Sequence, residues 1–400
     1  MSTIITLSGD SLMCSDVLVL GAGIAGCTAA LRAAELGLDV LLAVKGKLGD
    51  SNTAQAQGGI IGLAHSGDSA EMLAADIEAA GAGLCRREAV ALLAAEGPAL
   101  CHDFLWKQLG VQFDLEPELG YPEATAEAAH STRRIFHVKD ATGRAIQDTL
   151  SERVKLHPNI KVLEETSLVD LITVPHHSLD LRAVYGPIQV KGAYLLGPAG
   201  DISMVVAKRT ILATGGLGYI YQHTTNPSGA TGDGLAAAYR ASARIVNCEY
   251  MQFHPTALFV AGKPRKLLTE ALRGEGAHLL NADGNRFMAK LEPVEMELAP
   301  RDRVCRAIFE ELAQSGMPCV FLDLSPIKAK MDLEGRFPTV FRACMEEGID
   351  PRAEPVPVVP AAHYFCGGVS VDLDGRASLD GLYAVGEVAC TGLHGANRLA

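Results

Sequence analysis

A glycine-rich turn near the start of the chain narrows the range of possible folds. The apolar run Asp16–Leu20 predicts a strand, and the pattern G-x-G-x-x-G follows directly over residues 21–26. An alanine-rich stretch over 25–36 predicts a helix, and residues 40–44 predict a second strand. In such a unit the first glycine permits the tight turn, the second admits a pyrophosphate, and the third lets the helix pack on the strand. The turn therefore predicts a dinucleotide site at Gly21, Gly23, Ile24, Ala25 and Gly26.

Two later segments, 209–216 and 381–387, repeat the pattern of a strand that ends on glycine. Three such strands, far apart in sequence, indicate one parallel sheet assembled from distant segments. The predicted fold class is α/β, with a Rossmann-like dinucleotide-binding domain. Its first part is predicted to span residues 1–246 and its second part residues 361–400.

The intervening residues 247–360 are richer in proline and charge, and we interpret them as an inserted α+β capping domain. Within them, residues 301–314 predict a helix. The proline-rich run 354–360 is predicted to be an extended linker that returns to the first domain.

The end of the second strand departs from the usual dinucleotide pattern. An acid commonly holds the ribose hydroxyls there, but Val44 is followed by Lys45. This weakens an interpretation as a plain NAD site. A cation at Lys45 could instead meet a phosphate, which leaves NADP as a minor alternative.

Charge and cysteine content exclude several functional classes. The formal net charge of -12 argues against a nucleic-acid partner and means that an anionic substrate needs a local cationic pocket. The ten cysteines form no C-x-x-C pair, so reduced thiols are expected and no metal site is predicted. The first 16 residues do not resemble a signal peptide, and no apolar run approaches the roughly 20 residues that span a bilayer. We therefore expect a cytoplasmic protein without a membrane partner.

Nine further segments resemble, in the same order, the motifs of the fumarate reductase/succinate dehydrogenase flavoprotein superfamily. They are residues 51–59, 213–216, 231–234, 252–256, 269–276, 297–302, 362–368, 386–387 and 395–398. The ordered set covers nearly the whole chain. The resemblance implies an FAD-dependent oxidoreductase.

Several variants of these motifs resemble the branch of the superfamily that oxidises aspartate. They are Ala257–Leu258 after His-Pro-Thr, the proline before Arg301, Cys366 before two glycines, and the segment 130–144. The resemblance also places Asn52 where membrane-bound members carry the histidine that bonds covalently to flavin. Since asparagine cannot form that bond, we expect non-covalent FAD.

The resemblance implies cofactor contacts beyond the glycine turn. The expected FAD-binding residues there are Lys45, Ser51, Asn52, Thr53, Gln57, Gly58, Gly59, Ala213, Thr214, Gly215, Asp233 and Glu387. Residues 57–59 are expected near the flavin ring. Glu387 is expected to hold the ribityl or ribose hydroxyls.

A four-carbon dicarboxylate must be fixed at both ends for the carbon between them to meet the flavin. By resemblance, the candidates are His254, Thr269, His363 and Arg398, and the guanidinium fork of Arg398 suits a carboxylate. Each has a plainer alternative. The histidines could be structural, like most of the twelve in the chain, and Thr269 could cap a helix before Glu270.

The resemblance implies that Arg301 acts as the proton shuttle; the alternative is a salt bridge with Asp302 or another nearby acid. Glu127 corresponds to an acid that would bind the amino group of aspartate, and the alternative is a solvated surface carboxylate. The loop around Glu127 departs from the family pattern, because Ala126 replaces an arginine and Ala128 and Ala129 replace glycines.

The implied reaction is oxidation of L-aspartate to iminoaspartate, with dioxygen or fumarate reoxidising the flavin. In the family this product feeds quinolinate and NAD biosynthesis, with quinolinate synthase as the downstream enzyme. The alternatives are a soluble fumarate reductase or succinate-oxidising flavoprotein, and an inactive FAD-binding protein. Family members continue beyond the last motif with a helical segment, which is expected to be lacking here, so Arg398 is expected to be frayed.

Overall fold

The computed structural model describes residues 4–7, 10–63, 67–125, 127 and 129–399. The strands are β1 Ile4–Leu7, β2 Asp10–Leu20, β3 Val40–Ala43, β4 Ile60–Ile61, β5 Ala124–Thr125, β6 Ile135–Phe136, β7 Ile160–Leu163, β8 Ser167–Val174, β9 Gln189–Leu196, β10 Ile202–Leu212, β11 Ile245–Val246, β12 Met251–Leu258, β13 Lys266–Leu267, β14 His278–Leu280, β15 Val320–Asp323, β16 Val356–Phe365, β17 Gly368–Ser370, β18 Leu382–Ala384 and β19 Ala389–Cys390. The helices are α1 Ile24–Glu35, α2 Asn52–Gln55, α3 Ala70–Ala80, α4 Arg87–Leu100, α5 Thr142–Leu156, α6 Asp233–Arg240, α7 Ala271–Gly274, α8 Met288–Leu291, α9 Arg301–Ser315, α10 Ser325–Lys328, α11 Leu333–Arg336 and α12 Pro338–Met345.

The largest sheet has the strand order β7-β3-β2-β10-β9-β8, with β18 also paired to β10. Strands β7, β3, β2, β10 and β18 are all parallel to their neighbours within this set. The three strands predicted to end on glycine are β2, β10 and β18, and they lie side by side. The prediction of one parallel sheet built from distant segments is therefore confirmed.

Close packing explains why the glycine-rich turn at residues 21–26 needs two of its three glycines. Gly21 has a φ of +105°, and a Cβ on it would lie 2.2 Å from the carbonyl oxygen of Ala213. A Cβ on Gly26 would lie 2.0 Å from the carbonyl oxygen of Gly21. Any side chain would push α1 off the sheet, where Cys27 and Ala30 are fully buried. The backbone at the start of α1 is thereby held against the ends of β2 and β10.

A second sheet of five strands, in the order β13-β12-β16-β15-β14, lies within residues 251–365. It has its own apolar core, which draws buried residues from between Leu258 and Val358 and includes Val304 and Ile308 of α9. The helix predicted over 301–314 is confirmed, since α9 spans Arg301–Ser315. The domain limits at 246 and 360 stay a prediction.

The prediction of a linker at 354–360 is wrong. From Val356 onward this run is part of β16, which pairs with both β12 and β15 and lies inside the second sheet. Val356 and Val358 are fully buried, so apolar burial outweighs the missing N–H donors of the prolines. Pro357 still contributes its carbonyl oxygen, which accepts from the Phe259 N–H at 2.9 Å.

One buried acid ties the first sheet's domain to the helices around the second sheet. Asp140, which is 1% exposed, accepts from the backbone N–H groups of Thr339 and Val340 at 2.8 and 3.0 Å. These are free donors in the first turn of α12, so Asp140 caps a helix about 200 residues away in sequence. Within the described ranges, no helix is long and apolar enough to cross a membrane, and no cluster of three or more metal-ligating side chains is found.

Candidate active site

The start of α1 opens onto a cavity of about 740 Å³. The helix has no side-chain cap of its own at Gly23; instead, the Ile24 N–H donates to the hydroxyl of Thr53 at 3.1 Å. A Cβ on Gly23 would lie 3.3 Å from that hydroxyl, so glycine leaves the backbone open to the cavity. A helix N-terminus exposed in this way attracts phosphate groups.

Most of the predicted cofactor residues line this cavity. They are Gly21, Gly23, Ile24, Ala25, Lys45, Ser51, Asn52, Thr53, Ala213, Thr214, Gly215, Asp233 and Glu387. Gly26 does not line it, because it packs against the carbonyl of Gly21. Gln57, Gly58 and Gly59 also lie outside the lining. Gly58 packs against the Glu127 carboxylate, and the Gly59 N–H donates to it.

The polar groups around the cavity fit a flavin dinucleotide. Among the described residues that line the cavity, Asn52 Oδ1 and Thr214 Oγ1 are buried without a hydrogen-bond partner. Buried polar atoms are seldom left unpaired in a protein, so these two are available to a ligand. Glu387 is held by the Asn52 amide at 2.9 Å and by the Phe365 N–H at 2.9 Å, and burial raises the pKa of its carboxyl.

Lys45 already has an anionic partner. Its ammonium lies 2.7 Å from the carboxylate of Asp233 and 2.7 Å from the hydroxyl of Thr231. A ribose phosphate there would have to compete with Asp233. The pairing therefore weighs against the NADP alternative.

Beside the cavity, two arginines share one amide oxygen. Arg301 Nη1 and Arg398 Nη1 donate to Gln252 Oε1 at 2.9 and 3.2 Å. The Gln252 amide in turn donates to the Arg398 carbonyl at 2.7 Å, and the Arg398 guanidinium lies 4.4 Å from the centre of the Tyr364 ring. The prediction of a frayed Arg398 is wrong, because these three contacts hold it.

The salt bridge of Arg301 is made with Glu270 and not with Asp302. Arg301 Nε donates to Glu270 Oε2, and both side chains are nearly fully buried. Burial acts to raise the pKa of Glu270, but Arg301 and Arg273 outweigh it and lower the pKa below its usual value. Asp302 pairs with the exposed Arg306 instead. Within the described part of the chain, Nη2 of Arg301 makes no hydrogen bond and is available to a substrate.

The two predicted histidines lie together, with ring centres 5.1 Å apart. His254 is 1% exposed, and its Nδ1 lies 3.3 Å from the Thr256 N–H; His363 Nδ1 lies 2.8 Å from the Thr225 hydroxyl. Burial and the nearby Arg301 hold the pKa of both imidazoles well below the usual value. Both rings are therefore neutral near pH 7.

Thr269 is buried at the start of α7, which keeps both interpretations of its hydroxyl open. Its Oγ1 lies 3.4 Å from the Ala271 N–H, a long contact that corresponds to a weak helix cap. The side chain is 2% exposed and is followed directly by Glu270. Thr269 is thus a buried neighbour in sequence of Glu270, the acid that pairs with Arg301.

Glu127 is not a solvated surface carboxylate. It is partly buried, and its Oε1 accepts from the Gly59 N–H at 3.1 Å. Burial and the neighbouring Glu270 raise the pKa of its carboxyl, while Arg301 and Arg398 oppose that rise. Glu127 therefore lies within the electrostatic field of the arginine cluster. The substitutions noted at Ala126 and Ala128 lie outside the described residues.

Sequence reasoning missed the partners that orient the cluster: Gln252, Glu270, Thr225 and Tyr364. Three of them stand inside the motifs that were recognised, directly beside a predicted residue or two positions away. The signal that could have identified these three is a polar side chain within two positions of a predicted site residue. Thr225 had no such signal, because it comes from a separate segment.

Comparison with known proteins agrees with this geometry. Residues 16–400 match the family model described as an FAD binding domain, and the chain is a flavoprotein of the fumarate reductase/succinate dehydrogenase type whose cofactor is FAD. A structure of the E. coli quinol fumarate reductase is similar, with a TM-score of 0.87 and 29% identity over 97% of this chain and 67% of that one. Sdh1 of Mycobacterium smegmatis has a TM-score of 0.79 and 32% identity, over 97% and 65% of the two chains.

Curated relatives define the branch. L-aspartate oxidase 1 of Ralstonia nicotianae is 44% identical over 386 residues, and L-aspartate oxidase of Yersinia pestis is 46% identical over 390 residues. The alignments cover 96% of this chain and 70% and 71% of those proteins. The chain belongs to the L-aspartate oxidase family.

Proposed function

We propose that the chain catalyses the FAD-dependent oxidation of L-aspartate to iminoaspartate. The observation that carries the proposal is the position of Glu127 in the field of two arginines, Arg301 and Arg398. A site for a plain dicarboxylate needs only cationic and hydrogen-bonding groups. An additional acid suits a substrate that also carries an ammonium group.

In this proposal Arg398 binds one substrate carboxylate with its guanidinium. Its contacts to Gln252 and Tyr364 fix the plane of the fork before the substrate arrives, which reduces the entropic cost of binding. The raised pKa of Glu127 falls again when an ammonium group lies beside it, because an adjacent cation favours the carboxylate form. The substrate thus completes the charge balance of the site.

His254 and His363 act as neutral hydrogen-bond donors. When Nδ1 of each ring accepts from Thr256 or Thr225, the ring proton lies on Nε2. An Nε2–H donor can bind a carboxylate oxygen without the desolvation cost of a second buried cation. Thr269, two residues before α7 begins and next to Glu270, supplies a hydroxyl to the same end of the site.

Proton movement is assigned to Arg301. Its Nη2 is the free donor position, and Glu270 on Nε stabilises the guanidinium and can exchange a proton with it. The bound FAD supplies the two-electron acceptor, while the protein fixes the substrate carbon against it. The FAD is held non-covalently, since the position facing Glu387 is Asn52.

The wider setting follows from the same assignment. Dioxygen or fumarate serves as the electron acceptor, and iminoaspartate enters quinolinate and NAD biosynthesis, which links the protein functionally to quinolinate synthase. All ten cysteines are unpaired, which is typical of a reducing compartment and supports a cytoplasmic location.

A second candidate is a soluble fumarate reductase or succinate-oxidising flavoprotein. It is favoured by the similarity to the E. coli quinol fumarate reductase structure. The two candidates share the arginines and histidines and differ at Glu127.

The purified chain should release yellow flavin into the supernatant on acid precipitation and should be bleached anaerobically by L-aspartate. The Glu127→Gln variant should raise the KM for L-aspartate at least tenfold, since it removes the charge that faces the ammonium group. Succinate oxidation should change less than twofold. Glu118→Gln, an exposed acid of the preceding segment, is the matched control.

Bleaching by succinate and not by L-aspartate would establish the second candidate. Equal effects of Glu127→Gln on both substrates would rule out an ammonium-binding role for Glu127.

A further inference from the structure

The side chain of Arg134 is completely buried and is bonded to acids on two other segments. Its Nε and Nη2 donate to the two carboxylate oxygens of Asp68 at 2.9 and 2.8 Å, and its Nη1 donates to Asp76 Oδ2. Weaker contacts reach His130 Nδ1 at 3.2 Å and Ser131 Oγ at 3.4 Å. None of these residues belongs to the cavity or to the arginine cluster described above.

Arg134 and Glu127 lie on the same β-hairpin connection. Strands β5 and β6 pair through Thr125 and Ile135, so both residues belong to the segment that joins these strands. The segment is fixed near its middle as well, because the Ser131 N–H and hydroxyl both donate to Asp76 at 2.9 Å. The position of Glu127 therefore depends on where Asp76 is.

Asp76 is a residue of helix α3, which begins just after Asp68 at its cap residue Ser69. The other end of α3 meets the segment that carries Arg398. The carbonyl oxygen of Gly81, which ends the helix, accepts from the Ala396 N–H at 3.2 Å. A Cβ on Gly395 would lie only 2.3 Å from the same oxygen, and Leu399 packs in one apolar cluster with Leu73 and Ile77 of α3.

One helix thus contacts both substrate-binding segments. An α-helix of 11 residues is a stiff rod about 16 Å long, so its two ends cannot move independently. The two hydrogen bonds between Arg134 and Asp68 also fix the orientation of the Arg134 guanidinium relative to the start of α3. Burial acts to raise the pKa of Asp76, but the donors Ser131 and Arg134 lower it, so the acid is ionised at neutral pH and the pairing is maintained.

We propose that α3 sets the separation between Glu127 and Arg398, and that Arg134 and Asp76 are positioning residues that select an amino dicarboxylate over a plain one. The proposal rests on the proposed function, since it assumes that Glu127 faces the substrate ammonium group and that Arg398 faces a carboxylate. The ion pairs hold the acid at the distance from Arg398 that L-aspartate requires. A dicarboxylate without an amino group does not use Glu127 and is indifferent to that distance.

The experiment compares Arg134→Lys and Asp76→Asn with Arg133→Lys, in which the adjacent, exposed arginine is changed in the same way. Lysine keeps the buried positive charge of Arg134 but loses the fork, so the variant is expected to fold. The KM for L-aspartate should rise about tenfold in the first two variants. The KM for fumarate as electron acceptor and the content of bound flavin should stay within twofold of the unmodified chain, as should all values for Arg133→Lys.

A second readout is independent of catalysis. Asp76→Asn replaces the charged acceptor of Ser131 and Arg134 with a neutral amide, which weakens both attachments, so trypsin should cut after Arg133 at least fivefold faster than in the unmodified chain. An unmodified chain that does not oxidise L-aspartate would refute the proposed function, whereas unchanged cleavage would refute the attachment to α3. An unchanged KM for L-aspartate in both variants, or equal rises for L-aspartate and fumarate, would overturn the inference about selectivity.

Discussion

Asn52 and Glu387 are joined by a 2.9 Å hydrogen bond from the amide Nδ2 to the carboxylate Oε2, although 335 residues separate them in sequence. The other carboxylate oxygen accepts from the backbone N–H of Phe365. Both side chains line the large cavity. Glu387, which is predicted to bind the cofactor, is therefore oriented by Asn52 of the motif 51–59.

The Asn52→Ala variant should bind FAD about tenfold more weakly. It leaves one oxygen of a buried carboxylate without a donor, and a bond to a charged group is worth about 1.5–3 kcal/mol. The measurement is a fluorescence titration of the flavin-free protein with FAD. The exposed Asn285, changed to alanine, serves as the control, and an unchanged dissociation constant for Asn52→Ala would contradict the role of Asn52.

Arg301→Lys should lower kcat for L-aspartate at least a hundredfold while FAD remains bound. Lysine cannot reach Glu270 and Gln252 at once with the geometry of a planar fork, so both the proton position and the contact with Gln252 are lost. The matched control is Arg303→Lys on the same helix, where the side chain is 45% exposed and pairs with Glu292 and Glu295. Comparable losses in the two variants would argue against a catalytic role for Arg301.

The buried His254 should make the protein less stable in mild acid. Its pKa in the folded protein lies well below the ordinary value of 6.5, so as the pH falls below 6.5 the unfolded chain takes up a proton that the folded chain does not. The free energy of unfolding therefore decreases with falling pH, by about 2 kcal/mol at pH 5 for one such group.

This contribution is measured by urea unfolding of the flavin-free protein at pH 7 and pH 5. His254→Gln should lose less stability than the unmodified chain between these two values, by about 2 kcal/mol. The exposed His176, changed to glutamine, should leave the difference as it is. Identical pH dependence in His254→Gln and the unmodified chain would show that folding does not lower the pKa of His254.

Asp140→Ala should lower the free energy of unfolding by about 2 kcal/mol, because it removes the cap of α12 and leaves the N–H groups of Thr339 and Val340 without their acceptor. Asp140→Asn should cost less, since the amide oxygen can still accept. Urea denaturation of both variants and of the exposed control Asp148→Ala tests the order. Equal stability of Asp140→Ala and Asp148→Ala would contradict the capping role.

The local parts of the fold could be predicted from sequence, and the parts that depend on tertiary packing could not. The glycine turn at 21–26 and helix α9 follow from short-range patterns, and the structure contains both. Strand β16 was mistaken for a linker because its prolines are a local signal, whereas its place between β12 and β15 is decided by distant strands.

The same division holds for the site. Arg301, His254 and Glu127 could be named from motifs, but their partners could not, since Gln252, Glu270 and Thr225 meet them only in three dimensions. The expectation that Arg398 is frayed was based on its place in the sequence. It did not take into account the contacts that Arg398 makes in three dimensions. Polar partners of buried charges are fixed by packing, which a motif does not record.

The parallel pairing of β2 with β10 and of β10 with β18 also determines the order in which the protein can fold. Gly21, Ala213 and Gly386 border one cavity, yet they lie near the start, the middle and the end of 400 residues. Closing such long loops is entropically costly and makes contacts of this kind form late. FAD can add its binding energy to the stability of the chain only after all three segments have met. The cofactor should therefore stabilise the folded state at the last step of folding, and it should not nucleate folding.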